Sequence, residues 1–519
     1  MSFDHIVIGA GHNGLTCAAY LAKTSAKVLV LEARGQPGGA AVTEEIAPGF
    51  RVSSCAHLLY QLHPKLVADL ALVRHGLQFA APDVQTSILN DQGQALHMCG
   101  ATIAGAVSAQ DMASWPVFWK RLMKMAKHLQ PMLLMAPPRL ANRSKGETLD
   151  LLKLGWSIRS LGKADMREFL RIAGMNVYDL AADHFDSPLL RARLAADAVL
   201  GSNLGPRSPG SVLTLLYRLT GEVAGVQGAL ALPKGGMGAV TAALASAARS
   251  HGAEIRLNAR VARITVENGK ATGVVLESGE TIAARSVISN AGPAATLTGM
   301  VGPRHIDAGF QRDISKIRSK GTSAKLNLAL NALPVFNGLT AKELAGRIVL
   351  ANSIEEIEAA FDPSKYGGWS KSPMMEIVIP SVTDPSLAPD GQHVLSAVLQ
   401  YAPYNVKGGW DANREAFLAD ILVRLEQFSP GICASIIAHD LKTPQDLERD
   451  FGLPGGHWHH GELAVDQLLM LRPVAGAARY AMPVDGVYLC GAGCHPGGGV
   501  MGAAGYNAAR AVLAKRMAA

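Results

Sequence analysis

Residues 5–33 read HIVIGAGHNGLTCAAYLAKTSAKVLVLEA, and the order of residue types along them sets the fold of the chain. The apolar run His5–Ile8 predicts a strand, Leu15–Lys23 carries helical apolar spacing, and Lys27–Leu31 predicts a second strand ending at Glu32. Between strand and helix, Gly9-Ala10-Gly11-His12-Asn13-Gly14 is G-x-G-x-x-G. Gly9 permits the tight turn, Gly11 lets backbone N–H groups approach a pyrophosphate, and Gly14 lets the helix pack on the strand. The helix N-terminus then faces the diphosphate charge. Glu32 lies 21 residues after Gly11, near the spacing of the acid that grips a ribose diol. A dinucleotide site follows, and Glu32 would repel a 2′-phosphate, which argues against NADPH.

Two further units separate NAD from FAD. Glu32-Ala33-Arg34 runs into Pro37-Gly38-Gly39-Ala40-Ala41, a second glycine turn where a ligand longer than a mononucleotide would continue. Near the other end of the chain, DGVYLCGAGCHPGGGVMGAAGYNAARAVL (485–513) predicts a strand at Val487–Cys490, a glycine turn at Gly491–Gly499 and a helix from Val500 to Leu513. Two strand–glycine–helix units suit a ligand with two ends to hold, as FAD has. The second helix would aim its positive N-terminus at the flavin and stabilise the anion formed on hydride uptake. Mid-chain, 232–293 predicts a helix at Gly238–His251 and strands at Glu254–Leu257, Val261–Glu267, Ala271–Leu276 and Val287–Ser289, with hairpin turns at Asn268-Gly269 and Ser278-Gly279. The fold class is therefore α/β, with a Rossmann-like FAD-binding domain assembled from discontinuous segments.

With 519 residues, the chain can bury a large ligand. The six cysteines show no paired close spacing typical of a disulfide framework or zinc cluster, so a reducing cytoplasm is the expected compartment. The N-terminus opens on a strand rather than a leader, and no window holds about 18 uninterrupted apolar residues. The net charge of +7 is concentrated: residues 115–175 hold six Lys and six Arg against Glu147, Asp150, Asp165 and Glu168. Within them WPVFWKRLMKMAKHLQPMLLM (115–135) sets Trp, Phe, Leu and Met among basic residues at helical spacing. That pattern suits either a helix lying on an anionic membrane surface or a solvated basic face over an apolar core. Nothing matches a nucleic-acid recognition module.

The chain resembles the phytoene desaturase and carotene ketolase branch of the amine-oxidase-like flavoproteins, nearest the subgroup labelled pyridine nucleotide-disulfide oxidoreductase domain-containing protein 2. The resemblance rests on GAGHNG (9–14), LEARGQPGGAAVTEE (31–45), PGFRVSS (48–54), LPKGGMG (232–238), VISNAGP (287–293), LPGGHWHHGELAVDQLLMLRP (453–473) and GVYLCGAGCHPGGGVMG (486–502). It implies that Gly9, Gly11, Gly14, Glu32, Arg34, Gly38 and Gly39 hold FAD, together with His12, Asn13, Ala33 and Ala40 of the same turns. Val261 would meet the adenine through its backbone, and Gly491, Ala492, Val500 and Met501 would line the flavin end. Many relatives carry Gly-Gly-Arg at the second turn where this chain has Gly38-Gly39-Ala40. Disulfide redox chemistry is not expected, since Cys17 has no evident second cysteine beside the flavin. The resemblance also implies an FAD domain of residues 1–75, 230–299 and 466–519. An α+β substrate domain would comprise 76–229 and 300–465, with helices such as Pro116–Lys127 and Arg414–Phe428 and strands such as Lys325–Leu330, Met375–Ile379 and His393–Tyr401.

The expected reaction removes a hydride from an apolar substrate, by desaturation or by oxidation of an alcohol or amine, with oxygen or a quinone among the candidate electron acceptors. The cofactor performs the hard step, and one group titrating near neutrality assists proton removal. Gly455–Glu462, GGHWHHGE, gathers three of the sixteen histidines beside a carboxylate. His460, oriented by Glu462, and His459 are the candidate catalytic groups. A plain loop beside the flavin is the competing reading. A zinc site needs about four ligands in tetrahedral array, which a segment this short would strain to supply, so no metal is expected. In monoamine oxidases a Gly-Gly-Cys segment tethers the flavin, and Gly455-Gly456-His457 stands at a similar place, 34 residues before Gly491. Non-covalent FAD is expected, with a histidyl link as the alternative. Rab GDP-dissociation inhibitors share the fold without redox work, which leaves a lipid- or prenyl-binding protein as the alternative function.

Overall fold

A computed structural model describes residues 2–139 and 145–518. The opening strand, Ser2–Ile8, pairs in parallel with Val28–Leu31 on one side and Thr281–Ser289 on the other, with His5 opposite Val28 and Ser286. Parallel strands are covered on both faces, which is why these segments read as continuous apolar runs. Glu254–Arg256 extends the sheet beyond Val28–Leu31, and Val487–Leu489 joins Thr281–Ser289 in parallel. The antiparallel strands Lys270–Leu276 and Val261–Glu267 complete seven. All seven strands lie within 2–31, 254–289 and 487–489, so distant parts of the chain meet in one sheet.

The helices His12–Ala22, Met237–Ser250 and Ala503–Ala518 pack over this sheet. The opening and closing helices approach so closely that a Cβ on Gly505 would fall 2.0 Å from the Asn13 carbonyl oxygen. The closing helix starts at Ala503 rather than Val500, because Gly502 adopts φ +76°. Val500 and Met501 therefore sit in the turn and not on the helix.

A second, eight-stranded sheet runs in the order 436–442, 323–330, 393–400, 375–378, 347–350, 86–89, 95–99 and 102–105. Its register puts Lys325 opposite Val398, Val398 opposite Glu376, Asn327 opposite Ser396 and Val349 opposite Glu376. Directly paired residues share a face and alternate residues along a strand do too. Lys325, Asn327, Ser396, Val398, Glu376 and Arg347 thus form one face, while Leu326, Leu328, Ile377, Leu395, Leu399 and Ile348 pack into an apolar core on the other.

Over this sheet lies a helical layer that includes the basic segment. The helix Ala109–Leu133 is longer than the sequence pattern suggested, and Ser108 Oγ caps it by accepting from the Asp111 N–H at 3.0 Å. Trp115, Phe118, Leu122 and Met125 are buried, Trp115 to 1% exposure, against helices 177–182, 188–199 and 211–219. Arg121 and Lys124 pair with Asp165 on the solvent side. This helix therefore matches the reading of a basic face over an apolar core, and its apolar side is not free to meet a membrane. Val117 alone of the large apolar residues 115–135 is largely exposed on this helix, and further exposed apolar side chains follow along the segment: Leu149, Leu152 and Trp156 on the helix Lys145–Ser160, and Leu170 on Lys163–Ile172, with Trp156 73% exposed. Residues 140–144 of the basic segment lie outside the described residues.

Gly14 shows what the first turn demands. A Cβ there would lie 2.1 Å from the Gly9 carbonyl oxygen, a contact no rearrangement of a flexible side chain can relieve. Gly14→Val is expected to give protein that retains no flavin and is destabilised by about 2 kcal/mol or more, measured from visible absorbance after purification and from chemical denaturation.

Candidate functional site

The two glycine turns are stacked on each other. The Gly38 N–H donates to the Ala10 carbonyl at 2.9 Å, and Gly11 and Gly38 form a parallel bridge. Glu32 ends the second strand with its carboxylate over the first turn, where the N–H groups of Ala10 (2.7 Å) and Arg34 (3.0 Å) donate to it. The Arg34 guanidinium pairs with Glu44 and lies 4.9 Å over the Phe451 ring, so it braces the second turn. Asn290, after the mid-chain strand, is the hub. Its side chain sits within 3.6 Å of where Cβ atoms on Gly9, Gly11 and Gly14 would be, and its carbonyl oxygen lies 2.5 Å from that point on Gly491. Gly9, Gly11, His12, Asn13, Gly14, Glu32, Gly38, Gly39 and Gly491 are thus brought together, while Ala33 follows the second strand and Val261 begins the outer one.

The cradle fits FAD on its own evidence. Among the described residues, His12 Nε2, Asn13 Oδ1, Gln61 Oε1 and His459 Nδ1 are buried without a hydrogen-bond partner. Buried polar atoms are ordinarily paired, so this set calls for a ligand bearing donors and acceptors. His12, Ala40, Ala41, Gly499 and Val500 line a cavity beside the turns, with Trp458 and His459 on the same wall.

Gly455–Glu462 is held against the final glycine turn by a residue that sequence reasoning passed over, Arg472. Its guanidinium is buried without a carboxylate and donates to six carbonyls: His459, Gly461 (3.2 Å), Glu462 (3.1 Å), Gln467 (3.1 Å), Ala492 (2.8 Å) and Cys494 (3.2 Å). Burial pushes it down to about 10, so it stays a cation at neutral pH. His459 reaches the cavity wall with its ring edge-on to Tyr217 at 5.9 Å. His460 sits at φ +54°, and its side chain is not among those lining the cavity. Glu462 turns to Arg318 at 2.9 Å, and no bond joins it to His460. Burial, and then the Arg472 charge, push both His459 and His460 down to about 3, which makes each a weak base. Among the described residues, no group of three or more His, Cys, Asp or Glu is arranged to hold a metal.

The opposite wall carries the polar face of the second sheet, reached through Cys55, His57, Tyr60, Arg218 and Glu376. His57 Nε2 donates to Glu376 at 3.1 Å, and Lys325 Nζ donates to His57 Nδ1 at 2.8 Å and to Ser396 Oγ at 2.7 Å. Burial pushes Lys325 down to about 7 and His57 to about 4, the Lys325 charge adding to the latter. Burial alone would raise the Glu376 carboxyl, but Arg347, the His57 bond and Arg218 hold it well below the usual carboxylate range. None of His57, Lys325, Glu376 and Arg218 is among the site residues that the sequence points to. Their signal was the alternation in SAKLNLAL, which places Lys325 and Asn327 opposite in phase to Leu326 and Leu328. Cys17 does have a thiol neighbour, Cys490, contrary to expectation. Burial and their hydrogen bond raise Cys490 well above its ordinary value, which suppresses the thiolate that exchange requires.

Arg472→Met would leave five carbonyls without a donor, the sixth, that of Glu462, keeping Gln467 Nε2. It is expected to destabilise the protein by about 3 kcal/mol or more and to release FAD, read by thermal melting and by flavin retained on gel filtration. Arg472→Lys, with fewer donors, is expected to rescue only part of both.

Residues 14–513 match the model for flavin containing amine oxidoreductases. Pyridine nucleotide-disulfide oxidoreductase domain-containing protein 2 of Rattus norvegicus is 37% identical over 98% of this chain and 93% of its own length. Phytoene desaturase (lycopene-forming) of Pantoea ananas is 26% identical over 98% of each. Among solved structures, cyclohexylamine oxidase from Brevibacterium oxydans superposes with a TM-score of 0.58 at 16% identity over the full length of both chains, a likeness of fold. The glycine turns, the unpaired polar atoms around them and a match spanning nearly the whole chain lead to one conclusion: this chain belongs to the flavin-containing amine oxidoreductase family and is an FAD-dependent oxidoreductase.

Proposed function

We propose that this oxidoreductase dehydrogenates a substrate with an apolar body, held in the cavity between the glycine turns and the polar face of the second sheet. Leu58, Leu200, Val398 and Trp458 supply the hydrocarbon wall, and a relative's name, phytoene desaturase, supports C–H bonds as the point of attack. FAD, when bound, accepts the hydride. This chain orients the substrate, excludes water and takes the accompanying proton from oxygen, nitrogen or the neighbouring carbon.

The observation that carries the reading is Lys325. Like His460 it does not line the cavity itself, but it stands directly behind His57, which does, and as a neutral amine it can donate to His57 and Ser396 and still offer its lone pair to a proton. It titrates near neutrality, where His459 and His460 do not. The base assignment therefore moves from the histidine loop to the sheet. Dioxygen or a quinone would serve as the terminal two-electron acceptor.

Contact with a bilayer is proposed through the helix Lys145–Ser160. Leu149, Leu152 and Trp156 are exposed there, with Lys153 and Arg159 on the same helix. No described helix is long and apolar enough to cross a membrane.

Two measurements test these readings. In anaerobic mixing with polyenes, apolar alcohols and amines, flavin bleaching is expected for at least one class. Because only unprotonated Lys325 accepts a proton, the bleaching rate should rise with pH through about 7. Lys325→Met should lower it by about 10²-fold and flatten that rise; an unchanged profile overturns the assignment. With sedimented vesicles of phosphatidylcholine and phosphatidylglycerol, the double change Leu152→Glu and Trp156→Glu should weaken binding by about tenfold or more. Equal binding by wild type and variant would remove this helix from the membrane contact.

A further inference from the structure

The polar wall of the cavity holds more positive than negative charge. Asp197 and Glu376 are its two carboxylates, and three guanidiniums share them. Arg193 pairs with Asp197 at the closest distance, and Arg347 pairs with Asp197 at 2.8 Å and tightly with Glu376. Both carboxylates are thereby engaged before Arg218 is considered. Arg218 reaches them only at 3.5 Å (Asp197) and 3.4 Å (Glu376), with its guanidinium 4.6 Å from the Tyr60 ring centroid. It is nine-tenths buried, yet it lines the cavity. Behind it, Arg347 Nη1 is buried with no hydrogen-bond partner among the described residues.

Burial disfavours the charge, but Asp197 and Glu376 keep Arg218 a cation, and its long contacts to them leave guanidinium N–H groups that an anion can take up. The helix 211–219 delivers this cation deliberately. Leu213, Tyr217 and Thr220 face a separate apolar cavity, whereas Arg218 points to the side lined by Tyr60 and Glu376. The remaining wall is hydrocarbon and aromatic: Leu58, Leu200, Val398 and Trp458. A ligand matching both has a carboxylate at one end and an apolar body at the other.

We propose that Arg218 is the anion-binding residue of the substrate site, and that the substrate is an apolar organic acid whose carboxylate sits against the Arg218 guanidinium beside Tyr60. The assignment rests on the dehydrogenase reading, which places substrate in this cavity, and it narrows the substrate class from apolar molecules in general to amphipathic acids. Arg218 has the planar fork that suits a carboxylate, and its weak contacts to Asp197 and Glu376 leave donors to offer.

The test uses the purified FAD-loaded protein. Hexanoate, hexanamide and hexylamine are titrated by calorimetry, and perturbation of the flavin absorbance reports whether each occupies the cavity. Hexanoate is expected to bind about 30-fold or more tightly than hexanamide, with hexylamine weaker still. Arg218→Gln should erase that preference, while Arg218→Lys should keep part of it. Since Arg193 and Arg347 still hold the two carboxylates, both variants are expected to fold and retain FAD, which the absorbance spectrum checks. Equal affinity of wild type for hexanoate and hexanamide overturns the proposal without any variant, and so does a hexanoate preference that survives Arg218→Gln. The dehydrogenase reading fails separately: hexanoate selectivity that depends on Arg218, with no flavin bleaching by any acid, alcohol, amine or polyene, would uphold the anion site and sink the reaction.

Discussion

A cation buried without a carboxylate organises the region around the final glycine turn. Arg472 exists in the interior only because six backbone carbonyls turn toward it, and those carbonyls belong to two stretches that would otherwise be independent loops. One is the histidine loop and the segment after it, the other the final glycine turn. Each carbonyl gains a donor it could not find in its own irregular backbone. The guanidinium in turn gains directional partners that fix the spacing between loop and turn. The position of His459 at the cavity wall, and of Gly499 and Val500 beside it, depends on this clamp.

The opposite wall solves a different problem by different means. The second sheet is apolar on one face, where Leu326, Ile377 and Leu395 form a core, and charged on the other, where Lys325, Glu376 and Arg347 stand in adjacent strands. Such a face cannot be left against hydrocarbon, so its groups pair with one another and with Asp197 and Arg218 from the helical layer. The product is a cavity with contrasting walls: glycine turns with unpaired polar atoms on one side, an ion network with surplus positive charge on the other, and apolar side chains between. Low-dielectric surroundings push Lys325 toward neutrality and hold the histidines unprotonated, which divides acid–base capacity unevenly around the site.

Much of this was legible in local pattern. The turn from Gly9 to Gly14, the acid Glu32 and the outer strand Val261–Glu267 each announce themselves within a few residues, because close backbone approach and strand alternation leave short-range marks. The limits of such marks show at the helix 109–133. Its mixture of Trp, Met and Lys was equally compatible with a bilayer and with a core, and only the helices packed on Trp115 and Phe118 distinguish the two. They show too at Glu462, two residues from His460 in the chain yet drawn to Arg318 in space. Lys325 carried a faint signal, since a lysine in phase with polar neighbours on an apolar strand points to a face that is not core.

By itself the sequence determined the cofactor, the α/β class and the glycine turns, because each depends on backbone conformations that particular residues permit within a window of ten to thirty positions. Tertiary structure alone decided which charges share the cavity. His57, Arg218, Lys325 and Glu376 come from segments up to 319 residues apart, and their protonation and pairing follow from burial and from neighbours that the folded chain supplies. Coulomb interactions and desolvation act through space, so their outcome is written in the packing of two sheets and a helical layer rather than in any local run of residues.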